Sequence, residues 1–325
     1  MTNFIPETML FSCLSGHNIY VPSDLDRGQT MIHLPSGTEV TVRPVRGMEP
    51  HLVEKKWHSF VERPIDINNI LWPVDIVDLG EGTMGLVFRK RAFPKMEPLK
   101  TLLYNSALLS WKRDEIKTIV KSLLTVFDNI HKGGYAYHSF DMERIFYYGK
   151  ECNILVDFTL GMSRHRNDPL FVSEMDKETI AIEFLPPWID FSERGRLTLL
   201  DDLYSVSAML FRLLIGRMPY QGRLMDGHGD MMDLIRDTDP NGHITMFEHY
   251  HENPVFIFDK SNRTNSIGLY TNEEKFADLW KDLPERIRDM FSETFSEENN
   301  KAPYEKKILY SPRQWLDALT DCGVI

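Results

Sequence analysis

The sequence predicts an α+β protein in two parts, a small β-rich front carrying one main helix and a larger α-helical back. Three observations predict it. Short β-type runs broken by Pro, Gly and Asp turn clusters fill residues 1 to 47 and 70 to 91. Long stretches with apolar residues at helical spacing dominate from residue 99 onward. An apolar fraction of 42% beside 26% charged residues supplies enough core for one large two-part domain and excludes a disordered chain. The change of character falls near residues 90 to 98, so the parts are drawn as 1–91 and 92–325.

In the front, Met31 to Leu34 and Glu39 to Val45 read as strands, set off by PSD, DRG and PSG turns. In EPHLVEKKWHSFVE, residues 49 to 62, Leu52, Val53, Trp57 and Phe60 fall at near-helical spacing, which predicts the single front helix. ILWPVDIVDLGEGTMGLVFRKR reads as two strands around a Gly-rich turn. In the back, Asp114 to Lys132 is the clearest helix, with Ile116, Ile119, Val120, Leu123, Leu124, Phe127 and Ile130 on one face and Gly133-Gly134 as its stop. A second helix runs from about Asp202 to Ile215 and is ended by Gly216. Two more are predicted near Phe276 to Trp280 and Leu283 to Ser296, and no internal repeat is present.

Against 37 basic residues stand 48 acidic ones, a net charge of −11 spread without long like-charge runs. That balance disfavours a nucleic-acid backbone as partner and reads as a solubilising surface. Cys13, Cys152 and Cys322 are an odd number without metal-ligand spacing, which suits small apolar residues in a reducing cytosol rather than a disulfide framework. The opening MTNFIPETMLFSCL lacks the basic start and sustained apolar stretch of an export signal. No apolar run approaches the roughly 18 residues of a membrane span. A cytoplasmic protein without membrane contact is therefore expected. His228, His243, His249 and His251 lack the i, i+4 spacing of a helical metal pair and read as exposed loop histidines. The Met-rich stretch from Leu224 to Met232 reads as a loop and helix covering the back part.

Residues 201 to 220, DDLYSVSAMLFRLLIGRMPY, resemble the protein-kinase helix pattern D-x-x-S-x-G-x-x-L-x-x-L-L-x-G-x-x-P. Upstream, Val156-Asp157-Phe158-Thr159-Leu160-Gly161 resembles the D-F-G motif and Phe184-Leu185-Pro186-Pro187-Trp188 the A-P-E segment. Gly134 to Phe146 stands where a kinase places G-x-x-H-R-D-L-x-x-x-N. At the far end, NPVFIFDKSNR, LWKDLPERIRDMFSETF and SPRQWLDAL resemble the closing region of a bacterial kinase-like family encoded beside von Willebrand factor A proteins and PPM-type phosphatases. The resemblance covers nearly all of residues 40 to 325 and implies a bilobal protein-kinase-like fold. It also implies that Asp202 anchors the catalytic-loop backbone, and that the partner is a protein of the phosphatase or von Willebrand kind.

The resemblance allows the four positions that phosphoryl transfer uses to be compared. The catalytic Asp falls on Ser139, whose neutral hydroxyl supplies neither negative charge nor proton acceptor. The metal-binding Asn falls on Arg144, which has no acceptor lone pair and adds a positive charge where a dication would sit. The D-F-G Asp survives as Asp157, with Thr159 in place of the Gly; Asp157 is either a nucleotide-metal ligand or a relic held by backbone hydrogen bonds. The phosphate-contacting Lys falls in Val40-Thr41-Val42-Arg43, where Arg43 keeps the charge without the Lys geometry. Glu54 is either its ion-pair partner or a surface charge on the front helix.

Leu79-Gly80-Glu81-Gly82-Thr83-Met84-Gly85-Leu86-Val87 matches the kinase Gly-rich loop, G-x-G-x-x-G-x-V. Only 52 residues lie between Gly85 and His138, and the predicted helix consumes 19 of them. The remainder cannot hold a lysine strand, a regulatory helix, two strands, a hinge and another helix at roughly 5 to 6 residues per strand and 11 to 12 per helix. GEGTMG is therefore read as a turn between the fourth and fifth strands of a kinase front lobe. Val87 then falls near the gatekeeper position, Phe88 to Arg91 enter the hinge, and the phosphate-loop position falls near Leu14 to Tyr20. The reading is a pseudokinase, a signalling scaffold or allosteric binding partner with no cofactor expected. ATP and magnesium would be held weakly at most, by Arg43, Glu54, Phe88 and Asp157, with Asp157 the metal ligand. The alternative is an atypical ATP-dependent transferase, phosphoryl or nucleotidyl, using Asp157 and Asp141. A conventional active kinase would need GEGTMG to be a true phosphate loop.

Overall fold

Internal contacts divide the chain into two units, Met1–Pro94 and Lys95–Ile325. The structure, a computed structural model, describes residues 8–13, 18–22, 30–33, 39–45, 60–61, 69–90, 95–105, 108–138, 140, 142–149, 152–157, 162–164, 181–189, 197–222, 248–252, 254–267 and 273–325.

Antiparallel pairing builds the first unit. Strands β1 (Thr8–Ser12) and β2 (Asn18–Pro22) form a hairpin. Strands β3 (Thr30–His33) and β4 (Glu39–Val45) come next, then the short β5 (Ile70–Leu71), β6 (Pro73–Asp78) and β7 (Met84–Arg89). A four-stranded sheet has the order β3-β4-β7-β6. Strand β4 coincides with the predicted run: buried Val40 and Val42 alternate with half-buried Thr41 and Arg43, and Val45 is buried at its end. Val40 and Val42 join Cys13, Ile19, Val77 and Val87 in one apolar cluster. Burial, and then the Asp75 carboxylate, push the Cys13 thiol up to about 12, so it is an inert apolar filler. Of the predicted front helix only Phe60 and Val61 are described, both helical. The Trp72 indole N–H donates to the Phe60 carbonyl at 3.0 Å, with the two rings 5.6 Å apart.

The second unit opens with β8 (Met96–Pro98) and α1 (Leu99–Leu103), then α2 (Asp114–Lys132) at its predicted bounds. Asp114 and Glu115 in the first turn and His131 and Lys132 in the last complement the helix dipole, and its apolar face is buried. The short β9 (Tyr135–Ala136) precedes β10 (Ile145–Tyr148), β11 (Asn153–Asp157) and β12 (Ser163–Arg164). Strand β10 pairs with both β8 and β11, and β12 pairs with β9, all antiparallel.

Helix α3 (Leu199–Ile215) begins three residues before its predicted start, because Thr198 caps it with Asp201 in a capping box. It ends as predicted at Gly216, at φ +85°. Helices α4 (Glu274–Asp282), α5 (Glu285–Phe295), α6 (Glu297–Lys301) and α7 (Pro312–Asp321) follow among the described residues. Phe211 of α3 is the hub of an aromatic core, 5.2 Å from Phe291, 5.6 Å from Phe256 and 6.1 Å from Trp280. Trp315 of α7 is fully buried and donates its indole N–H to Ser207 Oγ at 3.0 Å. No helix among the described residues is long and apolar enough to cross a membrane.

Candidate functional site

In the second unit, one cluster of buried polar groups surrounds the start of α3. Asp202, in the first turn, has a side chain with 0% exposure. Its Oδ1 accepts the His138 N–H at 2.8 Å, and its Oδ2 accepts the Tyr137 N–H at 3.0 Å and lies 2.6 Å from His131 Nε2. His138 adopts φ +56°, the left-handed region, which turns two successive N–H groups toward one carboxylate. Burial pushes the Asp202 pKa up, but the His131 hydrogen bond and the charges of His131 and His138 overcome it and hold the group below the usual carboxylate range. Around this knot Phe127 stacks on Phe140 at 5.0 Å, and Tyr137 meets both rings edge-on. His131 went unread in the sequence, because a histidine in the last turn of an amphipathic helix passes for a dipole partner.

Asp157 ends β11, and its N–H donates to the Arg144 carbonyl at 2.8 Å. The Ile145↔Val156 register makes Arg144 the residue opposite Asp157, so the two side chains leave one face of the ladder. The Tyr137 hydroxyl donates to the Asp157 carbonyl at 3.2 Å, tying the end of this strand to the loop that Asp202 holds. Glu143 pairs with Lys100, which holds its pKa below the usual range. Ser139 and Asp141 lie outside the described residues.

In the first unit, Arg43 and Phe88 come together: the guanidinium lies 4.6 Å from the ring centroid. Glu54 lies outside the described residues. GEGTMG is the turn of the β6–β7 hairpin, with Gly80 at φ +85°, Glu81 at +50° and Gly82 at +75°. The stretch Leu14 to Tyr20, expected as the phosphate-loop position, is not one loop. Asn18 to Tyr20 belong to β2, Leu14 to His17 lie outside the described residues, and the strand of Arg43 pairs with β3 and β7 rather than with β2. A local pattern of one glycine among polar residues could not reveal that order, because strand pairing sets it.

Ahead of α3, residues 181–189 form a short 3-10 turn and a loop held from two sides. The Trp188 indole N–H donates to Asp201 Oδ1 at 2.8 Å, while Lys307 Nζ sits 3.9 Å over the Trp188 ring. Lys307 also donates to the carbonyls of Asn299, Asn300 and Ala302 at 2.9 to 3.0 Å. The Tyr304 hydroxyl donates to Asp201 Oδ2 at 2.5 Å. Burial moves His251 down to about 4, partly offset by the backbone of Pro187, Ile182 and Pro186 facing it, so it is no exposed loop histidine. His228, His243 and the stretch from Leu224 to Met232 lie outside the described residues, as does the His249 side chain.

No protein-family profile and no curated protein matches the chain. Solved structures do. The chain is similar to the yeast RNA Pol II CTD kinase CTDK-1 complex, with a TM-score of 0.51 and 13% identity over 98% of this chain and 96% of that one. It is also similar to the autoinhibited serine kinase domain of the giant muscle protein titin, with a TM-score of 0.53 and 13% identity over 97% and 78% of the two chains. The fold is protein-kinase-like. In kinase-like terms, a β-sheet N-terminal part is followed by a helical C-terminal part, and the Asp202 knot lies at the start of a central helix of the latter.

Proposed function

We propose that this kinase-like chain is a pseudokinase, a signalling scaffold or allosteric subunit that works by binding another protein. The observation that carries the reading is Arg144 opposite Asp157. Kinase phosphoryl transfer uses a magnesium ion held by oxygen ligands, and the donor set here does not fit one: the residue facing the carboxylate is a cation with no lone pair. A dication about 5 Å from a guanidinium meets a repulsion of roughly 7 kcal/mol at an effective dielectric of about 20. Ser139, at the catalytic Asp position, adds a missing proton acceptor to the missing metal ligand. The resemblance points to a PPM-type phosphatase or a von Willebrand factor A protein as the partner in a bacterial cytoplasm.

Purified protein given radiolabelled ATP and magnesium is expected to transfer no phosphate to itself or to protein substrates. Transfer that disappears in Asp157→Ala would overturn the proposal. Asp157 itself favours a second reading, an ATP-dependent transferase of another kind. Stabilisation by ATP with magnesium favours it, since a ligand at about 100 times its Kd adds about 2.7 kcal/mol.

A further inference from the structure

Resting on the inactive reading, and deepening it, we infer that Arg144 is the residue that closes this site to divalent cations by serving as the fixed counter-charge of Asp157. Three observations converge. Register and the Asp157 N–H to Arg144 carbonyl bond at 2.8 Å place the two side chains opposite each other on one face of the β10–β11 ladder. Two other carboxylates described near this end of the ladder are committed elsewhere: Asp202 to Tyr137, His138 and His131, and Glu143 to Lys100. Finally, a guanidinium carries five N–H donors and no acceptor lone pair, so it offers a metal ion nothing to coordinate.

The same geometry says what would open the site. An amide at position 144 presents an oxygen beside the Asp157 carboxylate, two ligands of the hard-oxygen type that Mg²⁺ and Mn²⁺ take. A lysine there keeps the charge and keeps the site shut. Arg144 is thus a specificity determinant, and Asp157 is a ligand held in reserve.

The test is a titration of the full chain with Mn²⁺ alone, following loss of the free-ion electron paramagnetic resonance signal. Wild type and Arg144→Lys are expected to show only the weak background of an acidic surface. Arg144→Asn is expected to gain a saturable site at least tenfold tighter than that background, and the double variant Arg144→Asn/Asp157→Asn to lose it. Arg144→Gln repeats the test should the Asn variant melt early. A saturable wild-type site abolished by Asp157→Asn would overturn the inference, and so would folded Asn and Gln variants that bind no more tightly than wild type. Phosphate transfer is measured separately. Activity in the wild type would end the pseudokinase reading, whereas a silent Arg144→Asn would end only the claim that this guanidinium excludes the metal.

Discussion

At the scale of single residues, Asp202 carries a heavy structural demand, because one buried carboxylate satisfies two backbone N–H groups and a histidine. Truncating it leaves those donors buried without an acceptor, and such groups cost about 1 to 3 kcal/mol each. Asp202→Ala is therefore expected to lose about 3 kcal/mol or more in urea unfolding. Asp202→Asn should recover little, since its single carbonyl oxygen replaces two acceptors and its amide faces other donors. Asp202 was legible because D-x-x-S opens an unmistakable apolar helix. Arg144 was legible as a charge out of place in its motif. Lys307 was not, since its partner Trp188 lies over 100 residues away and only packing unites them.

At the scale of elements, the glycines of the β6–β7 hairpin answer two different demands. A Cβ on Gly80 would meet nothing within 4 Å, so its φ of +85° alone explains it. A Cβ on Gly85 would come to 2.7 Å from Val42 Cγ1, 3.0 Å from Val77 Cγ1 and 3.1 Å from Leu79 Cδ1, so that glycine exists to let β7 lie against the sheet core. Gly85→Ala is expected to cost about 1 to 3 kcal/mol by overpacking, against about 1 kcal/mol for Gly80→Ala, read as shifts of the urea midpoint. Helix α2 was readable to the residue because its stripe and its stop agree. The start of α3 was not, because the Thr198 and Asp201 box sits ahead of Leu199 and Leu200, which look like preceding loop. The start of helix α7 is written in Ser311 with Gln314 and in Pro312 at the first helical position, a short signal inside a polar stretch. The strand order was unreadable for a different reason: which strands lie beside β4 depends on long-range pairing.

For the molecule as a whole, acid is the informative stress. The folded pKa of His251, about 4, lies below the ordinary histidine value, so the unfolded chain binds more protons than the folded one between about pH 6.5 and pH 4. Stability therefore falls as pH falls through that window, by about 2 kcal/mol between pH 7 and pH 5, and His251→Gln should flatten that slope in urea titrations. Asp202 adds to the decline later. Its depressed pKa gives a stabilisation present above about pH 4 and lost as pH drops through the folded value. A further consequence follows from the ammonium of Lys307 resting on the face of Trp188. Where an ion pair would be weakened by dissolved salt, a ring quadrupole in direct contact offers mobile ions little to shield, so the loop ahead of α3 should keep its seat in brine.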